Sequence, residues 1–597
     1  MDRHGWRSSG LAIALLIAIP LAVGSPIIGH PPVFDDHLLL GGNADLLEGR
    51  LPARETFFRR YWGSAPEATL NELYRPVTIA SLVLDARLFG SGPAGMHATA
   101  LLLHAINTLL VFWLVTLLFH RRRTALLTAL LFSVHPIVLE ALAPISGRSD
   151  LLAAAFLLTA SCLAVVFVRG EGPRAAVALA GTVAACALGV LSKEHVVTAP
   201  LVLAALLMVA VQDAGRRSRT IIACCCAAAG TGGALWLRTG VLGYLWRSGL
   251  PPDPQTAYLA WVGNPLFGTG TVSRLLTVAG IVPKALMLLL FPLRQSADYC
   301  YNQIPVEEGL PGPASLLGLG VTIVCVAALL LWRRRHPAIW VALAWGALTW
   351  LLTSNALVPI GALFAERFLY LPAIGSCLVV AALLDRIAER RRVLAVVSAI
   401  VLAILAATIF TIRRSDWSSD EALFAATARS SPGCARGHSN HGLTLQRQGR
   451  LPEAAAEYAR ALDIAPGLTG AGISLTGSLL EMDRPEEAVS VARSTAQAAG
   501  DDATTRRLLA DQLVAAGLRA IDAGDDRRFL VTTEAAAAID PGHGTAHFNL
   551  ALHAYRAGDI ERARMHTRDA LGAGYALPAG FLEAVGIQPD GTPVQGR

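Results

Sequence analysis

The sequence predicts an all-α membrane protein with about 11 transmembrane spans and a C-terminal domain of helical repeats. Of its 597 residues, 54% are hydrophobic and only 16% are charged, whereas soluble proteins carry about 25% charged residues. Apolar runs of about 20 residues, long enough to cross a bilayer, recur between residues 10 and 412. Short Ala-rich amphipathic segments separated by Gly and Pro follow. We therefore expect a transmembrane domain at 1–412 and a repeat domain at 413–597.

The transmembrane domain contains eleven predicted spans. They lie near residues 10–28, 96–119, 124–142, 151–168, 175–191, 195–211, 220–240, 313–332, 337–353, 366–385 and 393–412. A further apolar run at 278–293 is interrupted by Pro283, Lys284 and Pro292. Counting this run as a span would move the basic segment 333–335 to the opposite side of the membrane. We therefore interpret it as re-entrant or interfacial.

Arginine clusters give the orientation of the spans. They comprise Arg3 and Arg7, Arg121–Arg123, Arg169 and Arg174, Arg216, Arg217 and Arg219, Arg333–Arg335, and Arg386 with Arg390–Arg392. Every second loop is thus basic, and the positive-inside rule predicts that these loops face the cytoplasm. The N-terminus is then cytoplasmic, and an odd number of spans makes the C-terminal domain extracytoplasmic. Because the basic residues lie mostly in membrane-flanking loops, bulk nucleic-acid binding is disfavoured, and the scarcity of lysine indicates a bacterial inner-membrane protein.

The C-terminal domain shows a 34-residue period. The segment 438–466 is followed by a second copy in which Glu453-Ala454 recurs as Glu487-Ala488. A clear copy returns at 548–571, and a divergent one covers 501–541. This period, with two helices per unit, is typical of tetratricopeptide repeats, which stack into an α-solenoid that commonly binds protein. The repeats predict a protein partner or substrate.

Ionisable residues from four segments are predicted to lie on the extracytoplasmic side. They are Asp35 and Asp36; His135, Glu140, Arg148 and Asp150; Lys193, Glu194 and His195; and Glu366 and Arg367. Such groups are costly near a bilayer, and the positive-inside rule does not explain them. They indicate an outward-facing active site. Simpler explanations remain open for single pairs: a helix cap at Asp35-Asp36, a local ion pair at Arg148–Asp150, or a solvated turn at Lys193-Glu194.

The residue types suit transfer of a sugar from a lipid-linked phosphate. One of two adjacent aspartates can accept a proton from an incoming hydroxyl, while the other orients it or raises its pKa. The cations Arg148, Lys193 and Arg367 can stabilise charge that develops on a leaving phosphate. Two adjacent carboxylates serve equally well as ligands for a divalent metal ion, so the sequence leaves a metal cofactor open.

Several motifs together resemble the TMTC-type transmembrane O-mannosyltransferases and their bacterial relatives. In chain order they are FDDHLLL, YRPVTIASLVLDARLFG, HATALLLHAINTLLVFWLV, HPIVLEALAPISGRSDLL, LSKEHVV, NPL, ERFLYLP and RRSDW, with repeats at the end. The resemblance covers nearly the whole chain and is carried by the order of the motifs. Two features depart from the family pattern: the repeat array is short and partly degenerate, and His37 follows the acidic pair.

This resemblance implies a glycosyltransferase of the GT-C superfamily, with an inverting mechanism and a polyprenyl-phosphate sugar donor. The sugar would be mannose or a similar hexose, and the acceptor a hydroxyl group on protein or glycan outside the cytoplasm. Asp35 and Asp36 match the family's acidic pair and are the catalytic candidates. The candidates for binding the substrate and donor phosphate are Arg75, His135, Glu140, Arg148, Asp150, Lys193, Glu194, Glu366 and Arg367.

Two other functions are consistent with parts of the sequence. A non-catalytic membrane scaffold would use the repeats to recruit extracytoplasmic proteins, and its outer charges would only cap helices. A transporter would need polar residues through the inward halves of the spans, which are instead almost purely Leu, Ala, Val and Ile. An enzyme predicts that Asp35, Arg148, Lys193 and Glu366 surround one cavity, whereas a scaffold predicts that they are scattered.

Overall fold

The computed structural model describes residues 3–50, 52–64, 73–211, 214–245, 250–251 and 253–593. Within these ranges the protein is helical and contains no β-strand apart from one isolated bridge between Ile587 and Pro593. The predicted all-α fold class is confirmed. The chain forms two compact units, the first made of Met1–Pro252 and Gly263–Ser431, and the second of Asp253–Val262 and Pro432–Arg597.

The first unit consists of long apolar helices joined by short helical turns. Its α-helices are Arg3–Gly24, Asp35–Gly42, Ala44–Leu47, Pro76–Phe89, Pro93–Phe119, Arg122–Ser133, Leu139–Leu142, Arg148–Arg169, Gly172–Ser192, Ala199–Ala210, Arg217–Leu242, Thr271–Leu290, Pro313–Leu331, Pro337–Trp350, Pro372–Arg390, Arg392–Arg414 and Asp420–Ser430. Its 3₁₀ turns include Ser25–Gly29, Ala53–Phe57, Pro136–Val138, Ile145–Gly147, Glu194–Thr198, Glu366–Leu369 and Ser415–Trp417. Many of the α-helices begin with a proline, whose missing N–H would be unpaired in the first turn anyway.

Eight helices in the described ranges are long and apolar enough to cross a membrane. The pair Arg122–Ser133 and Pro136–Leu142, bent by 53°, forms a ninth candidate. The bend falls at Pro136, which lacks the N–H that a continuous helix would need. Three more predicted spans form shorter or more polar helices, at Glu194–Ala210, Pro337–Trp350 and Pro372–Arg390. The chain is thus a multi-pass membrane protein.

The apolar run at 278–293 forms part of a continuous helix, Thr271–Leu290. This helix is one of the eight that are long and apolar enough to cross a membrane. Near its start, Ser273 donates a hydrogen bond to the carbonyl of Glu307. At its end, the carbonyl of Leu289 accepts a hydrogen bond from His135 Nε2. Both contacts join the helix to segments that are predicted to be extracytoplasmic. An interfacial position for this helix therefore stays our prediction.

The helix ends that carry arginine contact each other at one end of the first unit. Arg169 donates hydrogen bonds to the carbonyls of Leu117 and Ala210. Thr124, which follows the basic loop Arg121–Arg123, donates to the carboxylate of Asp385, which precedes the basic segment that starts at Arg386. Loops predicted to share the cytoplasmic side are thus close together. The side chains of Arg3 and Arg7 lie outside the described residues.

The second unit is a series of antiparallel helix pairs. After Pro254–Gly263, its helices are Ala435–Arg447, Leu451–Ile464, Thr469–Glu481, Pro485–Ala499, Ala503–Asp522, Asp526–Ile539, Gly544–Arg556, Ile560–Gly572 and Ala579–Val585. The first helices of the first three pairs start 34 residues apart, which is the predicted period. The assignment of these pairs as tetratricopeptide repeats stays a prediction.

The first unit extends beyond the predicted domain boundary at residue 412. The helix Asp420–Ser430 belongs to it because Leu423 and Phe424 pack against its apolar core. Conversely, the helix Pro254–Gly263 joins the second unit for nearly all its length, and the Gly467 N–H donates a hydrogen bond to the Tyr258 hydroxyl. The composition change at residue 413 marks the end of the last span rather than the end of the first compact unit.

Candidate active site

Loops from the predicted extracytoplasmic side converge at one end of the first unit. The Tyr61 hydroxyl donates to the Ser146 carbonyl at 3.2 Å, and the Thr78 hydroxyl donates to the Ser192 carbonyl at 3.1 Å. The first loop therefore contacts both the turn after the bent helix pair and the turn before Lys193. These contacts bring together chain segments that lie far apart in the sequence.

Asp36 is fully buried and holds two of these loops together. Its carboxylate accepts backbone N–H bonds from Val33 at 3.2 Å, Ile145 at 3.0 Å and Ser146 at 2.8 Å. Burial raises the pKa of Asp36 to about 6, and the N–H donors act in the opposite direction. Asp36 thus fixes the turn Ile145–Gly147 against the start of the helix Asp35–Gly42.

Asp35 is the more accessible member of the acidic pair, with a side chain that is 32% exposed. Its carboxylate lies 4.0 Å from Nη2 of Arg367, which is beyond hydrogen-bonding distance. The backbone enters this helix through Phe34, whose φ of 53° is unusual for a residue with a side chain. The Phe34 N–H bonds to Asp420 at 2.9 Å, and His37 contacts the same carboxylate at 2.8 Å. His37, which follows the acidic pair in the sequence, therefore helps to anchor it.

Arg367 connects the acidic pair to the bent helix pair. Its Nη1 donates to Glu140 at 2.8 Å, and its backbone N–H donates to the same carboxylate at 2.9 Å. Glu140 is buried, whereas the Arg367 side chain keeps 26% of its surface exposed. One side of the guanidinium is thus fixed by Glu140, and the other side faces Asp35.

Lys193 and Asp150 form a second ion pair at the same end. Lys193 Nζ lies 2.6 and 2.7 Å from the two carboxylate oxygens, and both side chains are buried. Burial lowers the pKa of Lys193 to about 8, the Asp150 carboxylate raises it, and the nearby charges of Arg75 and Arg367 lower it. Asp150 therefore supplies the counter-charge that Lys193 needs in order to remain protonated.

Arg75 and Glu194 form a third ion pair. Arg75 donates through Nε and Nη2 to one carboxylate oxygen, at 3.2 and 2.9 Å, and each side chain is only 12% exposed. The guanidinium also lies 5.0 Å from the centre of the Tyr61 ring, within cation–π range. Lys193 and Glu194 therefore do not form a solvated turn. Each is buried in an ion pair with a distant residue, Lys193 with Asp150 and Glu194 with Arg75.

Arg148 lies apart from these pairs. Its guanidinium is almost fully buried and contacts Asp85 at 2.7 Å. It also donates to the carbonyl of Met96 and to the hydroxyl of Ser81. The sequence did not single out Asp85 as a partner. In this arrangement Arg148 supports the packing of the helices Pro76–Phe89 and Pro93–Phe119.

His135 and Glu366 also make structural contacts. His135 accepts a hydrogen bond from the Ile137 N–H and donates to Leu289 O, so it closes the bend and contacts the helix Thr271–Leu290. Glu366 is buried and accepts from the Ser296 N–H at 2.6 Å and from the Tyr299 hydroxyl at 2.7 Å. Glu366 thus holds the loop that follows this helix, while its neighbour Arg367 faces Asp35.

A small cavity of about 10 Å³, with room for about one water molecule, lies beside Arg367 and Asp150. It is lined by Asp150, His195, Thr349, Thr353, Arg367, Phe368, Tyr370 and Leu371. An enzyme was expected to place Asp35, Arg148, Lys193 and Glu366 around one cavity, but none of the four lines this one. Lys193 binds the lining carboxylate of Asp150 and Asp35 lies 4.0 Å from the lining guanidinium of Arg367. Arg148 and Glu366 contact other segments. His195 belongs to the predicted outer polar group with Lys193 and Glu194, whereas Thr349 and Thr353 were not predicted. Hydroxyl groups within apolar helices give no distinguishing signal in a sequence.

The acidic pair is poorly arranged for a metal ion. The Asp36 oxygens are occupied by N–H groups, which a cation would repel. In the described ranges, the groups of His, Cys, Asp and Glu close enough to share an ion do not include Asp35 or Asp36.

Comparison with known proteins bears directly on this site. Residues 76–231 match the family described as dolichyl-phosphate-mannose-protein mannosyltransferase. The chain is 27% identical to Mus musculus protein O-mannosyl-transferase TMTC3 over 76% of its own length and 51% of that protein. It is 27% identical to Homo sapiens TMTC1 over 77% of its length and 56% of that protein. It is 26% identical to Caenorhabditis elegans protein O-mannosyl-transferase F38B6.6 over 77% of its length and 64% of that protein.

The predicted resemblance to TMTC-type proteins is thereby confirmed. The chain spans about half the length of the first two of these relatives. The matched region 76–231 contains Glu140, Asp150, Lys193 and Glu194 from the three ion pairs around the cavity, while Asp35 and Arg367 lie outside it.

Proposed function

We propose that this protein is a membrane glycosyltransferase that moves a sugar from a polyprenyl-phosphate donor to a hydroxyl group on an extracytoplasmic protein. The observation that carries the proposal is the Asp35–Arg367 pair, in which a partly exposed carboxylate lies 4.0 Å from a partly exposed guanidinium that lines a cavity. This arrangement supplies a base and a phosphate-binding cation within reach of one small ligand. The relatives' names support mannose as the sugar.

In the proposed step, the acceptor hydroxyl attacks the anomeric carbon of the sugar. Its proton passes to the Asp35 carboxylate, and the bond between the anomeric carbon and the phosphate oxygen breaks. Attack from the face opposite the phosphate inverts the anomeric configuration. The negative charge that remains on the polyprenyl phosphate is stabilised by Arg367, the most exposed of the cations in the three pairs around the cavity.

Several features of the chain and of the proposed donor support an extracytoplasmic site in a bacterial inner membrane. The site lies at the end opposite the arginine-rich loops, which favour the cytoplasm. Cys300, in a loop on the same side as the site, is disulfide-bonded, which favours an oxidising compartment. The polyprenyl tail of the donor also has to stay in lipid while its phosphate reaches Arg367. The scarcity of lysine supports a bacterial source.

The test is transfer of labelled mannose from a short polyprenyl-phosphate mannose by membranes that contain the full-length protein. The acceptor is the extracytoplasmic protein fraction of the same cells. We expect Asp35→Asn to lower the rate by about 10²–10⁴-fold, because it removes the general base. The thermal stability should not change, since the side chain is partly exposed and has only a long-range ion pair.

Two further variants make the test specific. Asp45→Asn changes an exposed aspartate of the same loop that pairs with Arg59, and it should leave transfer unchanged. Asp36→Asn should lower stability, because an amide cannot accept all three N–H bonds. Transfer by Asp35→Asn at the wild-type rate would exclude Asp35 as the base. Absence of transfer by the wild-type protein would instead favour the membrane scaffold.

A further inference from the structure

Two buried histidines in the second unit face each other through the same ring nitrogen. Nδ1 of His547, on the helix Gly544–Arg556, lies 3.2 Å from Nδ1 of His566, on the helix Ile560–Gly572. The Asp569 carboxylate lies one turn after His566, at 3.6 Å from the first nitrogen and 3.8 Å from the second. The two imidazoles are about nine-tenths buried, whereas Asp569 is 45% exposed. The three groups form a cluster that opens to solvent on the Asp569 side.

The hydrogen bonding of His547 points its lone pair into this cluster. Its Nε2 lies 3.1 Å from the Pro541 carbonyl, which can only accept a hydrogen bond. Nε2 must therefore carry the proton, and in the neutral ring Nδ1 is left as an acceptor. A metal-bound histidine commonly donates its other ring N–H to a backbone carbonyl in this way, which fixes the tautomer and the ring orientation.

The first helix pair provides an internal comparison. His438 Nε2 lies 2.9 Å from the Pro432 carbonyl, and its Nδ1 lies 2.6 Å from the Glu457 carboxylate. The spacings of six and 19 residues equal those from His547 to Pro541 and to His566. The fourth pair thus has an imidazole where the first pair has a carboxylate. A histidine and glutamate pair is satisfied by itself, whereas two facing imidazoles can share a cation.

The distances fit tetrahedral coordination. Zn²⁺ binds histidine nitrogen at about 2.0–2.1 Å and carboxylate oxygen at about 2.0–2.2 Å. Two ligands at these lengths, separated by the tetrahedral angle, lie about 3.3–3.5 Å apart. The observed 3.2 Å between the nitrogens is close to this value, and the carboxylate separations of 3.6 and 3.8 Å are slightly longer. Rotation of the half-exposed Asp569 side chain would shorten them.

We propose that His547, His566 and Asp569 bind a zinc ion, with water as the fourth ligand on the exposed side. Zinc accepts both imidazole nitrogen and carboxylate oxygen, and the two imidazoles favour it over calcium or magnesium, which take oxygen ligands. The site would join the two helices of the fourth pair. It is independent of the proposed sugar transfer and of the residues around Asp35.

The experiment uses the full-length protein, purified in detergent without a histidine tag and stripped with a chelator. Zn²⁺ alone is titrated against a competing metal indicator, and Co²⁺ is added separately to report tetrahedral coordination by its visible absorption. We expect His566→Gln to remove one zinc ion per chain and the cobalt absorption. Even the loss of an outer-shell partner costs about 10–100-fold in metal affinity, so Asp569→Asn should weaken binding by at least about tenfold.

His553→Gln is the matched control, because His553 lies on the same helix as His547 but stacks on Phe529 instead. It should keep the wild-type zinc stoichiometry. Asp569→Asn changes an exposed side chain, so its effect does not depend on a variant that misfolds. Equal zinc binding by wild type and His566→Gln would overturn the proposal. The proposal would also be overturned if the wild-type protein with Co²⁺ showed no tetrahedral absorption. The two imidazoles would then share only a simple hydrogen bond.

Discussion

The buried pair of Arg148 and Asp85 distinguishes a structural arginine from one that binds the donor. Both side chains are nearly inaccessible, and their charged atoms lie 2.7 Å apart. Removing one partner leaves an uncompensated buried charge, which costs about 3–5 kcal/mol. Replacing both with apolar residues of similar volume is neutral or stabilising by about 1–4 kcal/mol. The two positions are therefore suited to a double-mutant cycle.

We expect Arg148→Met and Asp85→Leu each to destabilise the protein strongly, and the double variant to recover wild-type stability. Thermal unfolding in detergent, followed by tryptophan fluorescence, measures the stabilities and gives the coupling between the two positions. Transfer of labelled mannose in membranes measures function. Because Arg148 supports packing in this structure, the double variant should retain transfer.

Two results would refute this reasoning. If each single variant were as stable as wild type, the ion pair would contribute nothing to the fold. If the double variant were stable but inactive, Arg148 would act on the donor, as the sequence alone predicts. Glu48→Gln, which removes an exposed carboxylate paired with Arg50, is a suitable control and should change stability by less than about 1 kcal/mol.

Two further predictions concern the site and the turn beside it. Transfer should decline as the pH rises through about 8, because the pKa of Lys193 is lowered to about that value. Neutral Lys193 would no longer compensate the cavity-lining carboxylate of Asp150, which would then repel the donor phosphate. Lys193→Arg, which stays protonated, should move the decline to higher pH, and an unchanged pH profile would contradict the role of Lys193. Gly147→Ala should destabilise the protein by about 1–3 kcal/mol, because the added Cβ would lie 2.4 Å from the backbone oxygen of Ala141. Gly240→Ala, with open space around it, should not lower the melting temperature.

The general arrangement could be predicted because it depends on properties that repeat along the chain. Apolar run length gives the spans, and the arginine clusters separate the loops into two sets. The contacts of Asp36 with Ser146 and of Arg75 with Glu194 follow from this division, since each joins two loops of the same set. Which loops lie together at one end of the helices is therefore readable from sequence.

The partners within a set could not be predicted. Successive residues of a helix point about 100° apart, so a rotation of one helix decides which side chain meets which. Arg148 and Asp150 are two residues apart, yet the first binds Asp85 and the second binds Lys193. A local ion pair between Arg148 and Asp150 was an open alternative from sequence, and the structure instead gives each a distant partner.

The acidic pair shows the same limit at adjacent positions. Asp35 and Asp36 are chemically identical, and only their surroundings differ: one is partly exposed beside Arg367, and the other is buried among backbone N–H groups. A sequence can indicate that two carboxylates lie near a membrane surface. To tell the base from the structural anchor, one needs the position of the turn at 145–147. That position depends on how the neighbouring helices pack.

The charges around the cavity restrict how a donor phosphate can bind. Lys193 is held by Asp150 at 2.6 Å, and Arg75 is held by Glu194 at 2.9 Å, so a phosphate would have to displace a short, buried contact to reach either cation. Arg367 also has a short contact with Glu140, but its other side faces Asp35 at 4.0 Å across a more exposed gap. Under the proposed function, a phosphate that binds the exposed edge of Arg367, with the sugar between it and Asp35, takes over the attraction of Arg367. Asp35 is then left on the opposite face of the sugar, where it can receive the acceptor's proton. Donor binding and the release of Asp35 from its long-range attraction to Arg367 would then be one event.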